Sequence, residues 1–285
     1  MQKKEQLIKL TTKDHKEITL WKINSAKENN KHVFLTHGTF SNKKIMLGIA
    51  NYLANIGYTC WIMEWRNHGE SKVYKDTFNI ETIGLIDIKT TFNYLIDNLN
   101  LNNLHCITHS GGGIALTLFL IKNKTYSKNI KSIVFFNCQA FGAVNSKLDF
   151  IKIYLAKHFS SILGFVPAIR LGIGVQNEKY FTMKSWFDWN LTKSFKGIDG
   201  FDYFSQMKTI QIPILLICGK NDWIAPIHGC EKYLNGFDNQ TNKLVVCGIS
   251  NGFKENYNHS RTILSKNASK EIWQIASNWI KKHQT

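Results

Sequence analysis

The 285 residues predict an α/β protein with a mainly parallel central sheet. Short apolar runs such as Val33-Phe34-Leu35 and Ile214-Leu215-Leu216-Ile217 alternate with stretches of helical periodicity. Strand, helix, strand in succession makes neighbouring strands parallel. One run is unusual: Leu104-His105-Cys106-Ile107-Thr108-His109 stops at Ser110, passes three glycines and resumes as Ile114–Ile121, long enough for a helix. That is a strand, a sharp turn and a helix. The turn forces its apex toward positive φ, and glycines beside it let strand and helix pass closely. Ser110 is thus expected exposed at a strand end, with the Gly111 N–H free at a helix start to donate to an oxyanion.

In chain order, Leu7–Leu10 and Ile18–Ile23 read as strands of a β-hairpin, joined by Lys13-Asp14-His15-Lys16 and covering a sheet edge. His32–Thr36 is a short buried strand. Helical spacing of Ile45, Leu47, Ile49 and Leu53 covers Lys44–Ile56, Gly57 stops it, and Tyr58–Trp65 is again a strand. A polar loop leads to a helix over Ile80–Leu99, and the strand and helix around Ser110 follow. Ile130–Cys138 is the next strand. Over residues 140–208 the alternation gives way to an aromatic-rich, helical stretch with Phe150, Tyr154, Phe159, Phe165, Tyr180, Phe181, Trp186, Phe187 and Trp189. Strand Ile212–Cys218, helix Ile227–Leu234, strand Lys243–Gly248 and amphipathic helix Asn267–Lys282 close the chain. With no repeat or linker in sight, residues 1–139 and 209–285 form one core domain and 140–208 a cap growing from it.

Apolar residues make up 44% of the chain, ample for a core. No run of about 20 apolar residues could span a bilayer. The start, Met1-Gln2-Lys3-Lys4-Glu5-Gln6, lacks a signal peptide's apolar segment, so a cytoplasmic location is expected. Of the six cysteines, Cys60, Cys106, Cys138, Cys218, Cys230 and Cys247, five fall in or at the ends of strands and read as reduced core residues. No C-x-x-C pair, metal-ligand spacing, phosphate loop or dinucleotide fingerprint occurs, so neither metal nor cofactor is expected. The net charge of +16 comes from scattered lysines without a basic helix or an aromatic-interleaved motif. No nucleic-acid partner is expected, and weak affinity for anionic surfaces stays open.

A serine hydroxyl needs a base to take its proton and an acid to orient that base. In an open parallel sheet such groups gather beyond the carboxyl ends of strands. Asp222, in Gly219-Lys220-Asn221-Asp222, follows one strand, whereas Asn137-Cys138-Gln139 after the preceding strand has no carboxylate. Among ten histidines, His259 lies between the last strand and the closing helix, where it could reach back; His228, its main rival, would start a helix running away. His37-Gly38-Thr39 follows another strand, and a glycine there brings the Thr39 N–H close as a second oxyanion donor.

Together these residues resemble the α/β-hydrolase superfamily over nearly the whole chain. His37-Gly38 follows the third strand, Arg66-Asn67-His68-Gly69-Glu70-Ser71 stands for an R-G-x-G-x-S loop, and Thr108-His109-Ser110-Gly111-Gly112 stands for the G-x-S-x-G elbow. Thr108 and Asn67 each replace a glycine of these patterns. Nucleophile, acid and base come in the family's order. The resemblance implies an α/β-hydrolase fold with an eight-stranded, mostly parallel sheet, helices on both faces and a helical cap over residues 140–208. It also implies acyl transfer with Ser110 as nucleophile, His259 as base, Asp222 as acid, and Thr39 and Gly111 as oxyanion donors. His37, Gly38, Phe40, His109, Trp186 and Trp223 are expected to contact substrate.

The expected activity is that of a carboxylesterase or lipase on a small ester or thioester with an apolar group. The cap's aromatics could build that pocket or simply pack the cap on the sheet. A serine aminopeptidase-like enzyme, a cofactor-free haloperoxidase or perhydrolase, and a catalytically silent binding module remain alternatives at this stage.

Overall fold

In the computed structural model, residues 5–25, 27 and 30–284 are described. The expectation about the amino terminus rests partly on residues 1–4, outside the described residues. An eight-stranded sheet runs β1-β2-β4-β3-β5-β6-β9-β10. Its strands are β1 (Glu5–Thr11), β2 (Glu17–Ile23), β3 (His32–Thr36), β4 (Thr59–Glu64), β5 (Leu104–His109), β6 (Ile130–Phe136), β9 (Ile214–Gly219) and β10 (Lys243–Cys247). The hairpin β1–β2 joins antiparallel to β4, and all pairings from β4 to β10 are parallel. Two-residue strands β7 (Phe165–Val166) and β8 (Glu178–Lys179) pair apart from it.

Strand alternation sends Phe34, Cys106, Phe135 and Leu216 into one core and Val33, Leu35, Ile107, Val134, Phe136, Leu215 and Ile217 into another. Both faces are covered, which is why these strands read as unbroken apolar runs. Helices α1 (Lys44–Asn55) and α10 (Ala268–Lys282) pack on the second core. On the first lies α4 (Gly111–Lys122), buried at every position from Gly111 to Ile121. Each fully buried Leu, Ile or Phe there is worth about 1.5–3 kcal/mol against exposure.

The stretch expected as one helix over 80–99 is helical throughout but changes type. Turns α2 (Ile80–Thr82) and α3 (Lys89–Phe92) alternate with π-helical stretches Ile83–Ile88 and Asn93–Asn98. Apolar spacing reports the buried face, not the ring size of the hydrogen bonds. Strand ends also move for local reasons: Pro213 lacks the N–H that would extend β9 upstream, and Asn137 turns to φ 50° just after β6.

Between β6 and β9 the chain forms α5 (Lys147–Leu163), β7, β8, α6 (Tyr180–Thr192) and α7 (Tyr203–Met207). Trp189, Phe195, Tyr203 and Met207 belong to the main core, so the end of this insertion packs as part of the helical layer. Helix α8 (Ile227–Leu234) and the short α9 (Arg261–Leu264) complete the fold. All six cysteines are buried and unpaired. Among the described residues no helix is long and apolar enough to cross a membrane.

Candidate active site

Ser110 stands at φ 51° and ψ −125° between β5 and α4, the strained apex expected of the turn. The glycines after it are dictated by space. A Cβ on Gly112 would sit 2.5 Å from the His37 carbonyl oxygen, and one on Gly113 2.6 Å from the Cys138 sulfur. The turn is held by the Ser110 N–H donating to the Phe136 oxygen at 2.8 Å and the Gly113 N–H to the Ser110 oxygen at 2.9 Å.

Three side chains distant in sequence meet here. His259 Nε2 lies 2.9 Å from Ser110 Oγ, and His259 Nδ1 lies 2.7 Å from Asp222 Oδ2. The other Asp222 oxygen accepts the Ile224 and Ala225 N–H groups, each at 2.9 Å. Burial pushes the Asp222 carboxyl up, but the His259 ring and these two N–H donors outweigh it and hold it below the usual carboxylate range. His228 is exposed on α8.

Gly38 touches the turn: a Cβ there would meet the His109 oxygen at 2.7 Å, Ser110 Cβ at 2.8 Å and the Gly111 nitrogen at 2.9 Å. The Thr39 nitrogen lies 3.4 Å from where a Gly111 Cβ would stand, so both N–H groups border Ser110. Gly111 N–H opens α4 and has no intrahelical acceptor.

Two cavities flank this point. One of about 190 Å³ is lined by Ser110, Gly111, Thr39 and Phe40 from the core, by Ile153, Met183, Trp186 and Phe187 from the insertion, and by Trp223. A second of about 360 Å³ is more polar, with Asn42, Lys44, His109, Asn258 and His259, and shares Thr39, Phe40 and Trp223 with the first. Phe40, Trp186, Trp223 and His109 thus border a cavity.

His37 and Gly38 line neither. The buried His37 ring donates from Nδ1 to the Gly38 oxygen at 2.7 Å and accepts the Trp65 N–H at 3.2 Å, so it shapes the loop from beneath. His109 is also buried, and its Nε2 donates to the His259 carbonyl at 3.0 Å. Burial and the nearby His259 push it down to about 3, which keeps it neutral.

Sequence missed several supports. Asn137 Nδ2 donates to the His259 carbonyl and, at 2.7 Å, to Thr262 Oγ1, while its Oδ1 accepts the Gly219 N–H at 3.1 Å. Buried Glu64 accepts the Trp21 indole, Lys43 and Glu70 N–H groups, each at 2.9 Å, next to Gly69 at φ 53°. His68, in the same loop, donates to the Arg66 oxygen at 2.8 Å and meets Glu178 of the insertion at 2.9 Å, both side chains buried. Burial works against charge on His68, but Glu178 beside it raises its pKa above the ordinary histidine value. Positive φ at both Asn67, 63°, and Gly69, 53°, turns this loop tightly. Among the described residues no group of three His, Cys, Asp or Glu could hold a metal.

With sheet, turn and flanking loops in place, the chain belongs to the α/β-hydrolase fold family, whose model matches residues 31–254. Its fold is similar to that of the Pyrococcus furiosus esterase Pf2001, at 19% identity and a TM-score of 0.64, covering 99% of this chain and 93% of that one. It is likewise similar to a thermophilic esterase from Thermogutta terrifontis, at 16% identity and TM-score 0.64 over 98% and 100% of the two chains. The Exiguobacterium antarcticum esterase EaEST has 15% identity and TM-score 0.69 over 96% and 98%. No curated protein matches the sequence.

Proposed function

We propose that the protein is a serine hydrolase, most simply a carboxylesterase, that cleaves esters bearing an apolar group through an acyl-enzyme. The observation carrying this reading is the unbroken relay from Asp222 to His259 to Ser110, at 2.7 and 2.9 Å, opening on an apolar cavity. His259 takes the Ser110 proton as Oγ attacks the carbonyl. Asp222 fixes the imidazole tautomer and balances the imidazolium, and the Thr39 and Gly111 N–H groups hold the oxyanion. His259 returns the proton to the leaving alcohol, and water repeats the sequence to free the acid.

Residues 140–208 act as a cap whose Trp186 and Phe187 wall the acyl side. The apolar cavity of about 190 Å³ beside Ser110 takes the acyl chain. The leaving group lies toward Asn42, Lys44 and Asn258. Six buried thiols without a disulfide among the described residues support the cytoplasm as the compartment.

p-Nitrophenyl hexanoate hydrolysis tests the proposal. Ser110→Ala or His259→Ala is expected to lose on the order of 10³-fold or more in kcat, and a fluorophosphonate probe to label wild type but not Ser110→Ala. Full activity in either variant rejects the assignment.

A further inference from the structure

Helix α5 presents apolar residues on two sides. Ile153 and Ala156 turn to the cavity at Ser110, as does Lys152 between the two sides. The opposite side carries Leu148, Ile151, Leu155, Phe159 and Ile162, a continuous stripe along most of the helix, 47% to 83% exposed. Water-facing positions of a folded helix are normally polar, and a stripe this long marks a surface that meets something apolar.

Charge on and beside the helix narrows the occupant. Within residues 147–171 stand Lys147, Lys152, Lys157 and Arg170 against one acid, Asp149. That acid is occupied at the helix start, accepting the Ser146 hydroxyl at 2.8 Å, and Lys157 is paired with Asp188 at 2.6 Å. Lys152 turns with Ile153 toward the cavity, and among the described residues no salt bridge holds Lys147 or Arg170. A second copy would set these cations against their own equivalents, between two chains of net charge +16 each. An anionic lipid surface meets both demands, apolar depth for the stripe and negative charge for its flanks.

We infer that the outer stripe of α5 seats the protein on anionic bilayers, lying in the interface with Lys147 and Arg170 among the headgroups. Docking is independent of the catalytic proposal. Only its consequence rests on that proposal: substrate dissolved in the bilayer would reach Ser110 past a helix that already touches lipid.

Co-sedimentation with phosphatidylglycerol vesicles, and in parallel with phosphatidylcholine vesicles, tests docking. Wild type is expected to bind the anionic vesicles at least tenfold more tightly, with release at high salt as the Debye length falls to about 3 Å at 1 M. Leu155→Ser/Phe159→Ser/Ile162→Ser is expected to lose at least tenfold, while Ser110→Ala binds like wild type whatever its activity. Because every native thiol is buried, Ile162→Cys can be labelled selectively with an environment-sensitive dye, whose emission should rise and shift blue on the vesicles. This readout does not depend on the triple variant folding. Absent wild-type binding, equal binding by a folded triple variant, equal affinity for phosphatidylcholine or unchanged dye emission each overturns the inference. So does a wild-type dimer that the triple substitution converts to monomer without vesicle binding, which would give the stripe to a second copy.

Discussion

Gly38→Ala tests the oxyanion site without touching any of the reacting side chains. The new methyl would begin 2.7 Å from the His109 oxygen, 2.8 Å from Ser110 Cβ and 2.9 Å from the Gly111 nitrogen, where ordinary contact starts at 3.4 Å. None of these is the yielding end of a long side chain, so the 37–39 loop must retreat by at least about half an ångström, carrying the Thr39 N–H with it. A donor set at about 2.9 Å from an oxyanion then stands near 3.5 Å, beyond useful hydrogen-bond length. Losing one such donor costs on the order of 10²–10³-fold in kcat, about 2.7–4 kcal/mol. The substrate's apolar contacts are untouched, so KM should change little. Stopped-assay kinetics on p-nitrophenyl hexanoate, with a thermal melt to establish folding, decide the matter. A folded Gly38→Ala enzyme within threefold of wild-type kcat refutes the role given to Thr39.

Trp186→Ala should enlarge the apolar cavity, raising kcat/KM for decanoate relative to hexanoate esters by about tenfold, the scale of a methylene or two in an apolar pocket; an unchanged ratio places the acyl group elsewhere. The buried His68–Glu178 pair ties the insertion to the core, and the folded-state pKa of His68 lies above its ordinary 6.5. Its stabilising contribution is therefore fully present below about pH 6.5 and lost as pH rises through the folded value. The Tm gap between wild type and Glu178→Gln should accordingly be widest near pH 6 and narrow toward pH 9; a gap that widens with pH reverses the sign and the reasoning.

Ser110, Asp222 and His259 were legible in sequence because each follows a strand end whose apolar run announces it. Gly38 was legible through the same logic. Asn137 was noticed only for the carboxylate it lacks, since its partners Gly219, His259 and Thr262 lie more than 80 residues away. Nothing local marks His68 and Glu178 as partners either, 110 residues apart. The insertion's aromatics divide three ways where sequence offered two: Trp186 and Phe187 line the cavity, Trp189 packs on Phe195, and Phe150, Tyr154, Phe159, Phe165 and Phe181 face outward. Composition reveals aromatic residues, but only the directions of α5 and α6 reveal which side they take. His37 shows the reverse limit, a motif residue whose ring turns away from both cavities to hold a backbone turn.

Asn137 permits a sharp distinction between position and chemistry. Its backbone sits at φ 50°, a region Asn and Asp both tolerate, so Asn137→Asp preserves shape and backbone preference. What changes is one group: a fully buried amide that donates to the His259 carbonyl and Thr262 hydroxyl becomes a carboxylate that can only accept. The His259 carbonyl then faces like charge density, with His109 at 3.0 Å and the Thr262 hydroxyl at 3.3 Å still donating to it, and the loop carrying the imidazole loses its anchor just past β6. A buried hydrogen bond turned to a mismatch costs about 1–3 kcal/mol, and carried into the alignment of His259 against Ser110 this corresponds to a loss of about 5- to 150-fold in kcat. Because Asp222 retains both of its N–H donors and its contact to the ring, the loss should not be recovered by raising pH. If Asn137→Asp instead matches wild type across pH 6–9, the His259 loop is held by His109 and its own turn, and Asn137 serves β9 alone through Gly219.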